Sequence, residues 1–333
     1  TIILKEGTTG ISEWAFNECV GLTSIVIPKS VKNIGDWAFY KCSNLTSIEI
    51  PEGVTRIGEN TFSMCENLSS ITLPESLTEI DSHAFLGCSA LTSVVLPEGL
   101  RSIGQEAFFN CTGLTSVSVP ASVEEMGDNP FHGCSGIESI VVDRGNKVFA
   151  SPRNCNAIIN TATKTLVTGC SNTVIPKGVT MIGEGAFISC RNLTSIKIPN
   201  GVTKIGQDAF GLCRNLEKVV LPNSVASIGE GAFAECESLA SINIPNGVSS
   251  IGRSAFAGCE AITSFSIPEG LKTIEENTFF GCYGLTEIKI PDGVKSIGNW
   301  AFCECRNLAS VIFSGNDIVI APEAFLNCPG YQR

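Results

Sequence analysis

The chain has 333 residues, 43% hydrophobic and 17% charged, with a net charge of −11. That balance excludes a disordered chain, and no apolar run is long enough to form a membrane-crossing helix. The charge is uneven: residues 1–140 carry net −11, residues 141–175 net +3 and residues 176–333 net −3. An acidic first arm argues against a nucleic-acid partner, because phosphate contacts need clustered Lys and Arg.

Thr1-Ile2-Ile3-Leu4 reads as a strand, which implies a chain that continues before Thr1. From there one 23-residue unit recurs. Its Cys falls at 19, 42, 65, 88, 111 and 134, then at 190, 213, 236, 259, 282, 305 and 328. Each Cys stands three residues after a Phe. A period between 20 and 29 residues with regular aliphatics marks a leucine-rich repeat solenoid.

The unit Leu45 to Asn67 shows the local logic. Leu45, Ile48 and Ile50 alternate in and out, which predicts a short strand with one buried face. Pro51 ends it for want of an N–H, and Glu52-Gly53 turns the chain. Val54 and Ile57 add inward apolar positions, and Gly58 is read as a tight bend or a positive φ. Thr61, Phe62 and Cys65 are read as a helical turn that closes the coil, Phe and Cys sharing its inner face. One unit cannot bury this apolar set, so stacking is required.

The expected fold is a right-handed solenoid of about fourteen coils, with one parallel β-sheet on its concave face and short helical turns and loops elsewhere. Phe39, Phe62, Phe210 and Phe256 are expected to be buried in one row. The period fails between Pro120 and Pro176. Ala157–Asn160 and Thr165–Thr168 around the loop 161–164 predict a β-hairpin there. The organisation is therefore 1–143, regular repeats; 144–176, an irregular repeat with the hairpin; and 177–333, regular repeats, all in one continuous solenoid.

The thirteen periodic Cys are expected to be thiols packed in the core, since residues in register on parallel coils sit near 4.8 Å apart, beyond the disulfide optimum. A linear row also fails to converge on a metal. Cys155 and Cys170 stand symmetrically about the hairpin loop and form a candidate cross-strand disulfide. The two histidines, His83 and His132, have no nucleophile at a motif spacing, and no catalytic, cofactor-binding or metal-ligating motif is present. The asparagines before Leu (Asn44, Asn67, Asn192, Asn215, Asn307) are read as structural, bonding the backbone of the adjacent coil.

Two positions per strand should point outward. The first is mostly Ser but becomes Lys218 and Glu287; the second varies and includes Glu49, Lys197, Val220 and Lys289. This face carries no aromatic residue, which weighs against sugar or base stacking on it. Trp14 and Trp37 share one coil position, with Tyr40 close by, and would form an aromatic anchor at the edge.

The consensus L-T-S-I-x-I-P-x-x-V-x-x-I-G-x-x-A-F-x-x-C resembles the BspA-like leucine-rich repeats of bacterial surface proteins. Leu193 to Asn215 carries it almost whole, with Leu193-Thr194-Ser195-Ile196, Ile198-Pro199, Val202, Ile205-Gly206, Ala209-Phe210 and Cys213. The segment from Asn154 to Cys170 is similar to the interrupting unit of that family. The resemblance implies a secreted or cell-surface protein that adheres to host matrix or cell-surface proteins and has no enzyme activity or cofactor. A glycan-binding module and a passive spacer between other domains are the alternative readings.

Overall fold

The computed structural model describes residues 1–331. It is a parallel β-solenoid of about 14 turns with almost no helix. The chain packs as two compact units: Thr1–Ala162 with Thr168–Asn172, and Thr163–Val167 with the chain from Thr173 onward. Their boundary falls inside the irregular segment 144–176.

In the regular repeats of both units, paired strands run parallel with a 23-residue offset, whereas in the irregular segment Phe149–Ala150 pairs antiparallel with Ala157–Asn160 and Thr165 lies opposite Met181. Ser47–Glu49 pairs with Ser70–Thr72, Ser47 opposite Ser70 and Glu49 opposite Thr72. In the second unit Ser195–Lys197 pairs with Lys218–Val220 in the same register. The strand predicted from L-x-x-I-x-I is present, with Ile48 buried and Ser47 and Glu49 exposed.

Two details differ from expectation. First, each coil carries a second strand. Arg56–Ile57 pairs with Glu79–Ile80, which pairs with Ser102–Ile103. Met181–Ile182, Lys204–Ile205 and Ser227–Ile228 do the same in the second unit. A two-residue strand shows no alternation, so the V-x-x-I pattern conceals it. Second, the Phe–Cys segment is not helical. Asn60, Phe62 and Met64 donate their amides forward to the carbonyls of Ser82, Ala84 and Leu86 at 3.2, 2.8 and 2.6 Å. Thr61, Ser63 and Cys65 bond back three residues within their own coil. An α-helix directs its bonded amides back to carbonyls four residues earlier in the same coil, not alternately forward to the next coil. Left-handed residues at Asn60 and Met64 make the alternation possible, and the same two coil positions are left-handed at Trp37 and Lys41. Phe and Cys still share the inner face, as expected. Among the described residues the one helical element is a 3-10 turn at Pro152–Asn154.

Of the two reasons expected for Gly58, a tight bend or a positive φ, the positive φ is not observed. A Cβ there would strike the Asp36 carboxylate, and at the matching Gly35 it would strike the backbone of Glu13. The residue is small because successive coils approach closely.

The core is a set of stacked rows. Phe16 to Phe131 stack in the first unit with ring centroids 5.0 to 5.5 Å apart. Phe187 to Phe325 stack in the second at 4.9 to 5.7 Å. These spacings follow the rise of a parallel ladder, about 4.8 Å. Phe39, Phe62, Phe210 and Phe256 have no exposed surface.

Candidate functional site

The outward row of the first ladder is exposed in each unit. Glu49 is exposed beside Thr72. In the second unit Lys197 lies directly opposite Val220, and Lys218 lies between Ser195 and Ser241. Val220 is 42% exposed, and with Lys197 and Lys177 it lines a groove of about 690 Å³ floored by Ile198 and Leu221. Glu287 and Lys289 sit two apart on the strand Glu287–Ile290 and point the same way. They line a second groove, of about 530 Å³, with Ser264, Ser266 and Glu269. The structure thus brings Lys197 together with Val220, and Glu287 with Lys289. It does not bring the two pairs into contact, as Val220 and Lys289, their nearest members, stand three coils apart, about 14 Å at ladder spacing.

The aromatic residues form a separate cluster on the Phe–Cys segment. Trp14 and Trp37 stack with centroids 4.7 Å apart and planes 12° apart. Tyr40 meets Trp37 edge-on at 4.9 Å, and the Lys41 ammonium lies 5.0 Å from the Tyr40 ring centre. Lys41 also pairs with Glu18 at 3.0 Å. Two left-handed tryptophans one coil apart place these rings in register. Glu49 takes no part in this cluster.

Sequence reasoning missed the meeting of both histidines on one carboxylate. His83 Nε2 lies 3.2 Å from Glu106 Oε2, and His132 Nδ1 lies 3.3 Å from Glu106 Oε1. All three side chains are mostly buried. Glu106 is one period beyond His83, and His132 is 26 residues beyond Glu106. That second offset is one coil plus three residues, a stagger visible only once the coil shape is known. Among the described residues no group of three His, Cys, Asp or Glu is arranged to hold a metal ion.

Cys155 and Cys170 do not form the disulfide proposed for them. Cys155 caps the 3-10 turn at φ −70°, ψ −2°, so it lies outside the extended strand Ala157–Asn160 that cross-strand pairing requires. Its Sγ lies 3.6 Å from Ser151 Oγ, whereas the Cys170 thiol donates to the Asn156 carbonyl at 3.5 Å. The asparagine reading fits Asn44 and Asn215, whose amides donate to the Val20 and Arg191 carbonyls at 2.8 Å. Asn67 instead donates to the Asn44 side chain at 3.2 Å.

Stacked 23-residue coils with an inner Phe and Cys row and an exposed strand face define a leucine-rich repeat solenoid. The family model described as BspA type leucine rich repeat region (6 copies) matches residues 8–138, 79–214, 159–282 and 203–332, and the chain belongs to that family. A leucine rich cell surface protein from Faecalibacterium prausnitzii A2-165 is similar in structure, with a TM-score of 0.71 and 28% identity over 100% of this chain and 91% of that one. The pneumococcal vaccine antigen PcpA is similar at a TM-score of 0.62 and 25% identity, over 97% of this chain and 72% of that one. A leucine-rich repeat protein from Eubacterium ventriosum ATCC 27560 shares the fold at a TM-score of 0.75 and 21% identity, over 98% and 90%. No curated protein sequence matches the chain.

Proposed function

We propose that this chain is a non-enzymatic, protein-binding module of a secreted or cell-surface bacterial protein, and that it binds through the strand face of its coils. The observation that carries this reading is the pair of grooves on that face, where Lys197 and Val220, and Glu287 and Lys289, combine charge with apolar floor. Interfaces of this kind place a few anchors among near-neutral contacts. The run of Ser at the alternate outward position supplies such neutral ground. Similarity to a cell surface protein and to a vaccine antigen supports exposure to host proteins. A partner that is an extracellular matrix or cell-surface protein fits this setting.

The Trp14–Trp37–Tyr40 cluster favours a second location for the same activity, the coil edge, where half-exposed aromatics serve as anchors. An array of matrix proteins and glycans probed with the purified chain tests the class. Capture by a protein supports the proposal, capture by glycans alone replaces it with the glycan reading, and capture by neither favours a passive spacer.

A further inference from the structure

The irregular segment holds a groove of about 700 Å³. It lies between the strand Ser139–Val142 and the strand Phe149–Ala150, and belongs wholly to the first unit. Its lining includes Val141, Asp143, Arg144, Arg153 and Asn154. Three observations bear on what it holds. Arg144 and Arg153 are both exposed, and neither forms an ion pair or side-chain hydrogen bond among the described residues. Asp143, the one acid of residues 141–175, is engaged locally, its Oδ1 accepting the Gly145 amide at 2.6 Å. The segment is net +3 within a chain of net −11. Arg153 and Asn154 are also left-handed, at φ 57° and 54°, as are many side-chain-bearing residues elsewhere in the chain.

Two unpartnered guanidinium groups on one groove form a receptor for carboxylates, which they bind with parallel N–H donors. Val141, 47% exposed, offers an apolar contact beside them, whereas Phe149 is buried and presents no ring face for a sugar. We propose that this groove binds an acidic peptide segment, its carboxylates held by Arg144 and Arg153 and an adjacent aliphatic side chain resting on Val141. The proposal does not depend on the strand-face reading, because Lys197, Lys218, Glu287 and Lys289 do not line the groove.

The test uses the whole chain and a fluorescein-labelled nonapeptide of alternating Glu and Val, with Gln/Val and Lys/Val counterparts and a heparin oligosaccharide for comparison. Fluorescence anisotropy should show binding of the Glu peptide, weakened by added salt. Arg144→Gln with Arg153→Gln should weaken it about tenfold or more. Arg153→Gly, which tolerates the left-handed turn and removes the side chain with its guanidinium, should also weaken it, with no fall in melting temperature. Equal binding of the Gln peptide, indifference to both Arg variants, or Arg-dependent binding of heparin without the peptide would each overturn the proposal.

Discussion

The thiol of Cys65 donates to the carbonyl oxygen of Phe39, one coil behind it, at 3.1 Å. The same oxygen accepts the amide of Cys42 from its own coil at 3.0 Å. The pairing repeats from coil to coil, as in Cys88 with Phe62 and Cys213 with Phe187, at 3.2 and 3.0 Å. A thiol is small, apolar enough for a buried row, and still a weak donor. That combination explains why the position is Cys rather than Ala or Ser.

Cys65→Ala should therefore destabilise the chain by about 1–2 kcal/mol, from lost volume and a lost weak hydrogen bond. The cost stays moderate because the Phe39 oxygen keeps its backbone partner. A urea titration should show a lower midpoint with an unchanged slope. A midpoint equal to the parent's would show that the thiol row contributes nothing.

Burial pushes the Cys236 and Cys282 thiols up to about 12 from an ordinary value near 9. At neutral pH they should resist alkylation until the chain unfolds, since the thiolate is the reactive form. Mass spectrometry after alkylation in denaturant without reductant should find sixteen modified thiols; fourteen would restore the Cys155–Cys170 bond. The raised values also set a sign for stability. Below pH 9 both folded and unfolded thiols are protonated and nothing is lost. As pH rises from 9 towards 12 only the unfolded state ionises, which costs about 1.4 kcal/mol per pH unit per thiol. Melting temperature should fall above pH 9, and less steeply in Cys236→Ala with Cys282→Ala.

Phe210→Ala should cost about 3–5 kcal/mol, since the ring has no exposed surface and stacks on Phe187 and Phe233. The reading of 1–143, 144–176 and 177–333 as one continuous solenoid makes a further demand. Calorimetry of the parent should show a single cooperative transition, which Phe210→Ala lowers as a whole. Two separate transitions, of which only one moves, would mean that the units melt independently.

What the sequence revealed followed from its period. The Phe and Cys rows, the strand with Ile48 inward, and the outward Lys197 and Lys289 could all be placed, because stacked coils repeat any inward position every 23 residues. What stayed hidden depends on backbone conformation within a coil. The left-handed residues at Asn60 and Met64 turn an apparent helix into alternating coil-to-coil bonds. The stagger that carries Cys65 to Phe39 also carries His132 to Glu106, and neither is readable from a 23-residue register. The groove at Arg144 and Arg153 was hidden for the opposite reason: it lies where the period stops.

The most direct test of the account is the affinity of a captured protein partner for charge-reversed strand faces. Binding by the parent, by Lys197→Glu with Lys289→Glu, and by Trp14→Ala with Trp37→Ala should be measured side by side by surface plasmon resonance. The account predicts that reversal on the strand face changes the affinity by about tenfold or more, while the aromatic variant binds like the parent. Affinity untouched by the strand-face reversal but lost with the two tryptophans would contradict it and place the site on the coil edge.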